Sequence, residues 1–204
     1  MIQLIFATNN ANKGGEIQNA IGSQLEVISL KQAGIDIDIP EPHDTLEANA
    51  SEKSQTIYRL TAQNCFSEDT GLEVAALGGE PGVKSARYAG EEKSFSANIE
   101  KLLTNLNNHN DRRARFRTVI SLIWENKEYF FEGTCEGSII AEPRGEKGFG
   151  YDPVFQPLGS ELTFAEMDMA AKNKFSHRKK AADKLVIFLQ NRVGQAPANQ
   201  NFHH

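Results

Sequence analysis

With 204 residues, 39% of them apolar and 24% charged, the chain has the composition of a water-soluble globular protein and the length for a sizeable core. A formal net charge of -5 argues against general nucleic-acid binding, which draws on a basic excess, and no run of about 18 apolar residues offers a membrane span. The opening MIQLIFATNN lacks the pattern of a secretory leader, and two cysteines without metal-type spacing, Cys65 and Cys135, fit a reducing cytoplasm better than a disulfide scaffold.

In chain order, QLIFA predicts a buried first strand, followed by a helix over 11–21 that Gly14 and Gly15 weaken. LEVISL predicts a second strand, and residues 45–62 a helix with Leu46, Ala50, Ile57 and Leu60 turned inward. NCFSEDTGLEVAALGG reads as a strand that ends in a polar corner with a turn glycine, then a short extended piece. Ile99, Leu102, Leu103 and Leu106 follow helical spacing. Residues 114–124 alternate, with Phe116, Thr118, Ile120, Leu122 and Trp124 on one face, and ENK joins them to EYFFEGTCEGSII as an antiparallel hairpin. A Gly/Pro-rich loop, PRGEKGFGYDPVF, precedes a closing helix with Ala181, Leu185, Phe188 and Leu189 inward, and 193–204 reads as a polar tail. This order predicts an α/β fold, a mixed twisted sheet flanked by helices, as one large domain or two packed lobes.

Four polar clusters punctuate these elements. TNNANK, at the mouth of the first strand, places Thr8, Asn10 and Lys13 where unpaired N–H groups at a helix start attract an anion, although an ordinary asparagine cap explains the same letters. Glu68 and Asp69 offer oxygen ligands suited to Mg²⁺, and Glu41, between two prolines, is a further stiffly held carboxylate. GFGYDP presents Phe149 and Tyr151 as flat surfaces for a base, with Asp152, His177 and Arg178 available to its edges. SHRKK puts cations at a helix N-terminus, against the macrodipole, which costs stability and asks for a compensating role.

Taken together and in this order, the clusters resemble the inosine triphosphate pyrophosphatase family, through TNNANK, DTGLEVAALGGEPGVKSARYAG, FGYDP and SHRKKA. Asn9 stands where the family has a glycine, Gly14 and Gly15 where it has better helix formers, and Lys84 where an aromatic is common. The resemblance implies two lobes around a nucleotide cleft, a homodimer, and Mg²⁺-dependent hydrolysis of ITP, dITP and XTP to the monophosphate and pyrophosphate. By position it implies that Thr8, Asn10, Lys13, Lys53 and Thr70 hold the triphosphate. Glu41 and Asp69 are then the metal pair, with Glu68 auxiliary, and Asp69 also orients the attacking water. Phe149, Gly150, Tyr151, Asp152, Lys172, His177 and Arg178 form the base pocket. Two alternatives stay open at this point: a pyrophosphatase of other base preference, and a non-catalytic purine-nucleotide sensor.

Overall fold

The computed structural model describes residues 2–193, so the tail is outside the described residues from 194 onward. Its centre is a seven-stranded mixed sheet, of β1 (Ile2–Phe6), β2 (Leu25–Ser29), β3 (Cys65–Val74), β4 (Pro81–Gly82), β5 (Arg113–Trp124), β6 (Lys127–Ile139) and β7 (Phe155–Pro157). The strand order is β2-β1-β3-β5-β6-β7, with β4 paired to β3 beyond the end of β1. The first three are parallel neighbours, joined through α1 (Ala11–Ile21) and α2 (Leu46–Thr61); from β3 outward the pairing is antiparallel. The remaining α-helices among the described residues are α3 (Phe95–Leu106), the short α4 (Met169–Asn173) and α5 (His177–Val193).

Strand alternation sorts the core onto two faces. Leu4, Phe6, Phe66, Ile120 and Leu122 pack with Ile17 and Ile21 of α1 and Leu185 and Leu189 of α5. Ile5, Cys65 and Ile123 turn the other way, toward Ile57 of α2, while Leu46 and Ala50 of the same helix cover Val119. Leu60, predicted inward, is 61% exposed: α2 meets the sheet through Leu46, Ala50, Lys53 and Ile57, and Leu60 falls outside that stripe. The β5–β6 hairpin forms as predicted and turns through Glu125 and Asn126, whose φ of 49° and 63° match the primed two-residue turns that suit the twist of paired strands.

The predicted polar corner is absent. Residues 67–71 continue β3, each paired with β5 from Ser67↔Ser121 to Gly71↔Arg117. On its other edge, β1 pairs only with Cys65 and Phe66, and β4 only with Leu72 and Glu73. The stretch between them therefore has no strand neighbour on that edge. Gly71 is needed for close approach rather than for a turn: a Cβ there would lie 2.6 Å from the Gly82 carbonyl oxygen. Phe66 belongs to the apolar cluster on α1 and α5, whereas Leu72 and Val74 join another with Leu102, Phe116, Phe155 and Phe164. The polar run Ser67–Thr70 separates two apolar masses, and the cleft opens there.

Candidate active site

Neighbouring residues of a strand face opposite ways, so β3 sends Glu68 and Asp69 to different sides of the sheet. Asp69 meets α2: Lys53 Nζ lies 3.6 Å from Asp69 Oδ1, donates to Glu41 Oε1 at 2.5 Å, and donates to the Glu68 carbonyl at 2.8 Å on the open edge of β3. An ammonium thus sits between the carboxylates of Glu41 and Asp69. Asp69 Oδ2 is buried with no hydrogen-bond partner. An orphaned carboxylate oxygen beside a second carboxylate suits a divalent cation, which takes oxygen ligands and keeps several waters.

Glu68 does not join that pair. Its Oε1 faces Lys13 Nζ at 3.0 Å and Arg178 Nη2 at 3.4 Å, and its Oε2 accepts from Thr70 Oγ1 at 2.5 Å. The expected auxiliary carboxylate thus faces away from the Glu41 and Asp69 pair and is engaged by Lys13, Arg178 and Thr70.

The opening stretch forms the cap that its asparagine suggests. Asn10 is the N-cap of α1, its Oδ1 accepting from the N–H groups of Asn12 and Lys13, and Thr8 Oγ1 accepts from Asn10 N. The same turn lines a cavity of about 310 Å³ with Lys13, Glu41, Lys53 and Lys93. A groove of about 900 Å³ on the other side of the turn, between α1 and β2, is larger but is lined by neither Glu41 nor Asp69.

The aromatic end of the cleft is bounded by Phe95, Phe116, Phe149, Tyr151, His177 and Arg178. Phe149 is half-buried, turned outward by Gly148 and Gly150 at φ of 73° and 63°, conformations that only glycine adopts without strain. Tyr151 is not a free stacking surface; it is buried, and its hydroxyl donates to the Ser85 carbonyl at 2.7 Å. Asp152 Oδ2 accepts from Phe149 N at 3.0 Å and from Lys172 Nζ at 2.7 Å, tying the loop to α4. The His177 ring stacks on Phe116 at 4.6 Å, and its Nδ1, like Arg178 Nε, is buried without a partner. Such groups are costly to leave unmet, and these border the cleft.

The comparisons follow the same lines. A model described as the Ham1 family matches residues 4–188. The chain belongs to the Ham1 family. It is 47% identical over 188 residues to the dITP/XTP pyrophosphatase of Christiangramia forsetii, covering 92% of this chain and 99% of that protein. It is 49% identical over 190 residues to the dITP/XTP pyrophosphatase of Porphyromonas gingivalis, covering 93% and 98%. The solved structure of the Staphylococcus aureus Ham1 protein superposes with a TM-score of 0.84 at 40% identity, over 93% of this chain and 99% of that one. The motif resemblance and the predicted mixed α/β architecture are thereby borne out.

One residue of this Ham1 family site escaped the sequence reading. Glu16 is buried on α1 and bridges Lys172 Nζ through Oε1 at 2.5 Å and Arg178 Nη1 through Oε2. Its signal was a carboxylate on the apolar stripe of a helix, beside Ile17, Ala20 and Ile21. With it, the cleft sets Lys13, Lys53, Lys172 and Arg178 against Glu16, Glu41, Glu68, Asp69 and Asp152.

Burial and these pairings shift the titration of the groups in the cleft. Burial pushes the Asp69 pKa up, and Lys53 and Lys13 offset only part of that, with Glu41 and Glu68 adding to the rise. Burial acts the same way on Glu41, but Lys53 outweighs it and holds the carboxyl below its usual range. Glu68, though fully buried, is held far lower still, by Arg178, Lys13 and the Thr70 hydroxyl. Burial lowers Lys53, yet Asp69 and Glu41 outweigh it and keep the ammonium charged. His177 is driven well below its ordinary value by burial and then by Arg178 and Lys172, so it is neutral at pH 7.

Proposed function

We propose that this chain hydrolyses non-standard purine nucleoside triphosphates, namely ITP, dITP and XTP, to the nucleoside monophosphate and pyrophosphate, with Mg²⁺ as cofactor. The observation that carries the reading is one cleft along the open edge of β3, with a carboxylate pair around a buried, unpartnered oxygen at one end and an aromatic pocket with unpartnered nitrogens of His177 and Arg178 at the other. The names of the curated relatives support it.

Glu41 and Asp69 would hold the metal ion, which when bound neutralises phosphate charge and acidifies a water ligand. Asp69 is the residue placed to orient the attacking water. Thr8, Asn10 and Lys13, at the start of α1, and Lys53 on α2 receive the phosphates, with Thr70 beside them. Phe149 and the Gly150 turn offer the surface on which the purine lies, and Tyr151, buried behind them, braces that surface. Lys172 and Arg178, oriented by Glu16 and Asp152, and His177, stacked on Phe116, donate to the oxygen at C6. Adenine carries an amino donor at that position, and facing donors leave each other unpaired at a cost of about 1–3 kcal/mol per buried group. We further propose a homodimer, on the family resemblance, and a cytoplasmic location; among the described residues no helix is long and apolar enough to cross a membrane.

The deciding experiment incubates the protein with Mg²⁺ and, separately, ITP, dITP, XTP, GTP, ATP and UTP, and assays pyrophosphate apart from orthophosphate. Pyrophosphate from the first three in clear preference is the expected result. Preference for another base would shift the reading to a pyrophosphatase of different specificity, and nucleotide binding without pyrophosphate to a sensor.

A further inference from the structure

In the two-ended cleft Lys13, Lys53, Lys172 and Arg178 are already engaged. Lys13 faces Glu68, Lys53 faces Glu41 and Asp69, Lys172 is shared by Glu16 and Asp152, and Arg178 by Glu16 and Glu68. With five carboxylates against these four cations the cleft is not a positive site by itself, and a triphosphate tail of about four negative charges is not balanced by one divalent ion. The loop that follows Tyr88 supplies what is missing. Lys93 borders the phosphate cavity beside Glu41 and Lys53, yet it has no ion-pair partner within 4.0 Å among the described residues. Its backbone is left-handed, at φ 53°, in a region where a lysine is strained and which persists only where the surroundings hold it.

Two residues on, at the first position of α3, Phe95 leaves 44% of its surface exposed while bordering the aromatic end of the cleft, its ring 6.2 Å from that of Phe149 and tilted by 44°. The placement is built. Ser94 caps α3, and Asn98 on that helix accepts from Ala89 N at 2.7 Å and donates to the Ala86 carbonyl at 3.0 Å. The adjacent Ser85 carbonyl accepts the Tyr151 hydroxyl. One short turn thus grips both the helix that begins with Phe95 and the loop that carries Phe149.

We propose that the Gly90–Phe95 loop is a nucleotide-binding edge of the cleft, with Lys93 binding the phosphate tail and Phe95 covering the purine on the side open to solvent. The inference rests on the nucleoside-triphosphate reading above and adds two contacts to it. Lys93 contributes charge without breaking an existing ion pair, and Phe95 gives the base an apolar neighbour that does not discriminate among purines.

The test compares the full-length protein with Lys93→Met, Lys93→Arg, Phe95→Ala and Phe95→Trp, measuring KM and kcat for ITP and, by calorimetry, the affinity for inorganic tripolyphosphate. Lys93→Met should weaken tripolyphosphate binding and raise the KM for ITP by about fivefold each, with Lys93→Arg restoring both. Phe95→Ala should raise the KM for ITP by roughly tenfold with kcat little changed and tripolyphosphate affinity unaltered, and Phe95→Trp should rescue it. Wild-type turnover of ITP with both KM values unmoved overturns the loop's role and leaves the activity standing. A Phe95→Ala protein that loses tripolyphosphate affinity as well shows a structural role and overturns the base contact. Tripolyphosphate binding by the wild type without pyrophosphate release from ITP sinks the activity but still leaves the Lys93 contact measurable, and binding of neither ligand overturns both.

Discussion

Glu16 is the buried hinge of the base pocket, and its removal has a calculable cost. Its two oxygens engage Lys172 Nζ and Arg178 Nη1, and both cationic side chains are almost entirely buried. In Glu16→Ala, Lys172 keeps Asp152 at 2.7 Å, while Arg178 keeps only Glu68 at 3.4 Å and Thr70 at 3.3 Å, and Glu68 is already shared with Lys13. Two charge-assisted hydrogen bonds are lost, and Lys13, Lys172 and Arg178 are left with two carboxylates among them. Removing one partner of a buried ion pair costs about 3–5 kcal/mol, and the surviving partners place this case near the lower figure, about 3 kcal/mol. With a urea slope of about 2 kcal/mol/M the unfolding midpoint should fall by about 1.5 M. Glu16→Gln keeps the volume and one acceptor, and should lie between. The exposed Glu100→Ala is the control, expected within about 0.5 kcal/mol of wild type. Loss of the anchor should also narrow the preference for dITP over dATP, because Lys172 and Arg178 are no longer held toward the base. A Glu16→Ala midpoint within about 0.3 M of wild type would refute the reasoning.

Four further outcomes follow from the same geometry. Asp69→Asn should abolish pyrophosphate release while ITP still binds in calorimetry; near wild-type turnover removes Asp69 from the reaction. Chelation with EDTA should stop turnover and added Mg²⁺ restore it, with the unfolding midpoint falling only by the small amount that loss of a bound ion implies, because Lys53 already neutralises part of the charge on Glu41 and Asp69; a collapse of the fold on chelation would contradict that balance. Gly71→Ala forces β3 and β4 apart at the Gly82 carbonyl and should cost about 1–3 kcal/mol by thermal melting, whereas a neutral effect would mean that the contact yields freely. His177 titrates lower in the folded state than in the unfolded chain, so the unfolded state binds its proton first and stability is lost as pH falls from about 6.5 toward the depressed folded value. The slope should reach about 1.4 kcal/mol per pH unit between those two values and flatten in His177→Gln, as read from urea midpoints between pH 7 and pH 5; equal slopes in the two proteins would exclude His177 as the source.

The periodicity of the chain determined much of the fold, because local burial obeys simple geometry. The alternation through Phe116, Ile120 and Leu122 places them on the face of β5 turned toward α5, and the spacing of Ile99, Leu102 and Leu106 places α3. The motifs likewise named Asp69, Lys53, Phe149, Asp152, Lys172 and Arg178, which the fold brings to one cleft from β3, α2, the Gly-rich loop, α4 and α5. What only the tertiary structure decided is where charges meet. Glu68 and Asp69 are neighbours in sequence but part company across the sheet, because β3 runs straight through the expected corner and is held by β5 along its whole length. Glu16 and Arg178, 162 residues apart, join because α1 and α5 pack side by side on one face. Local letters carry the period of burial, whereas an ion pair between distant elements depends on which faces the sheet brings together, and that is a property of the assembled chain alone.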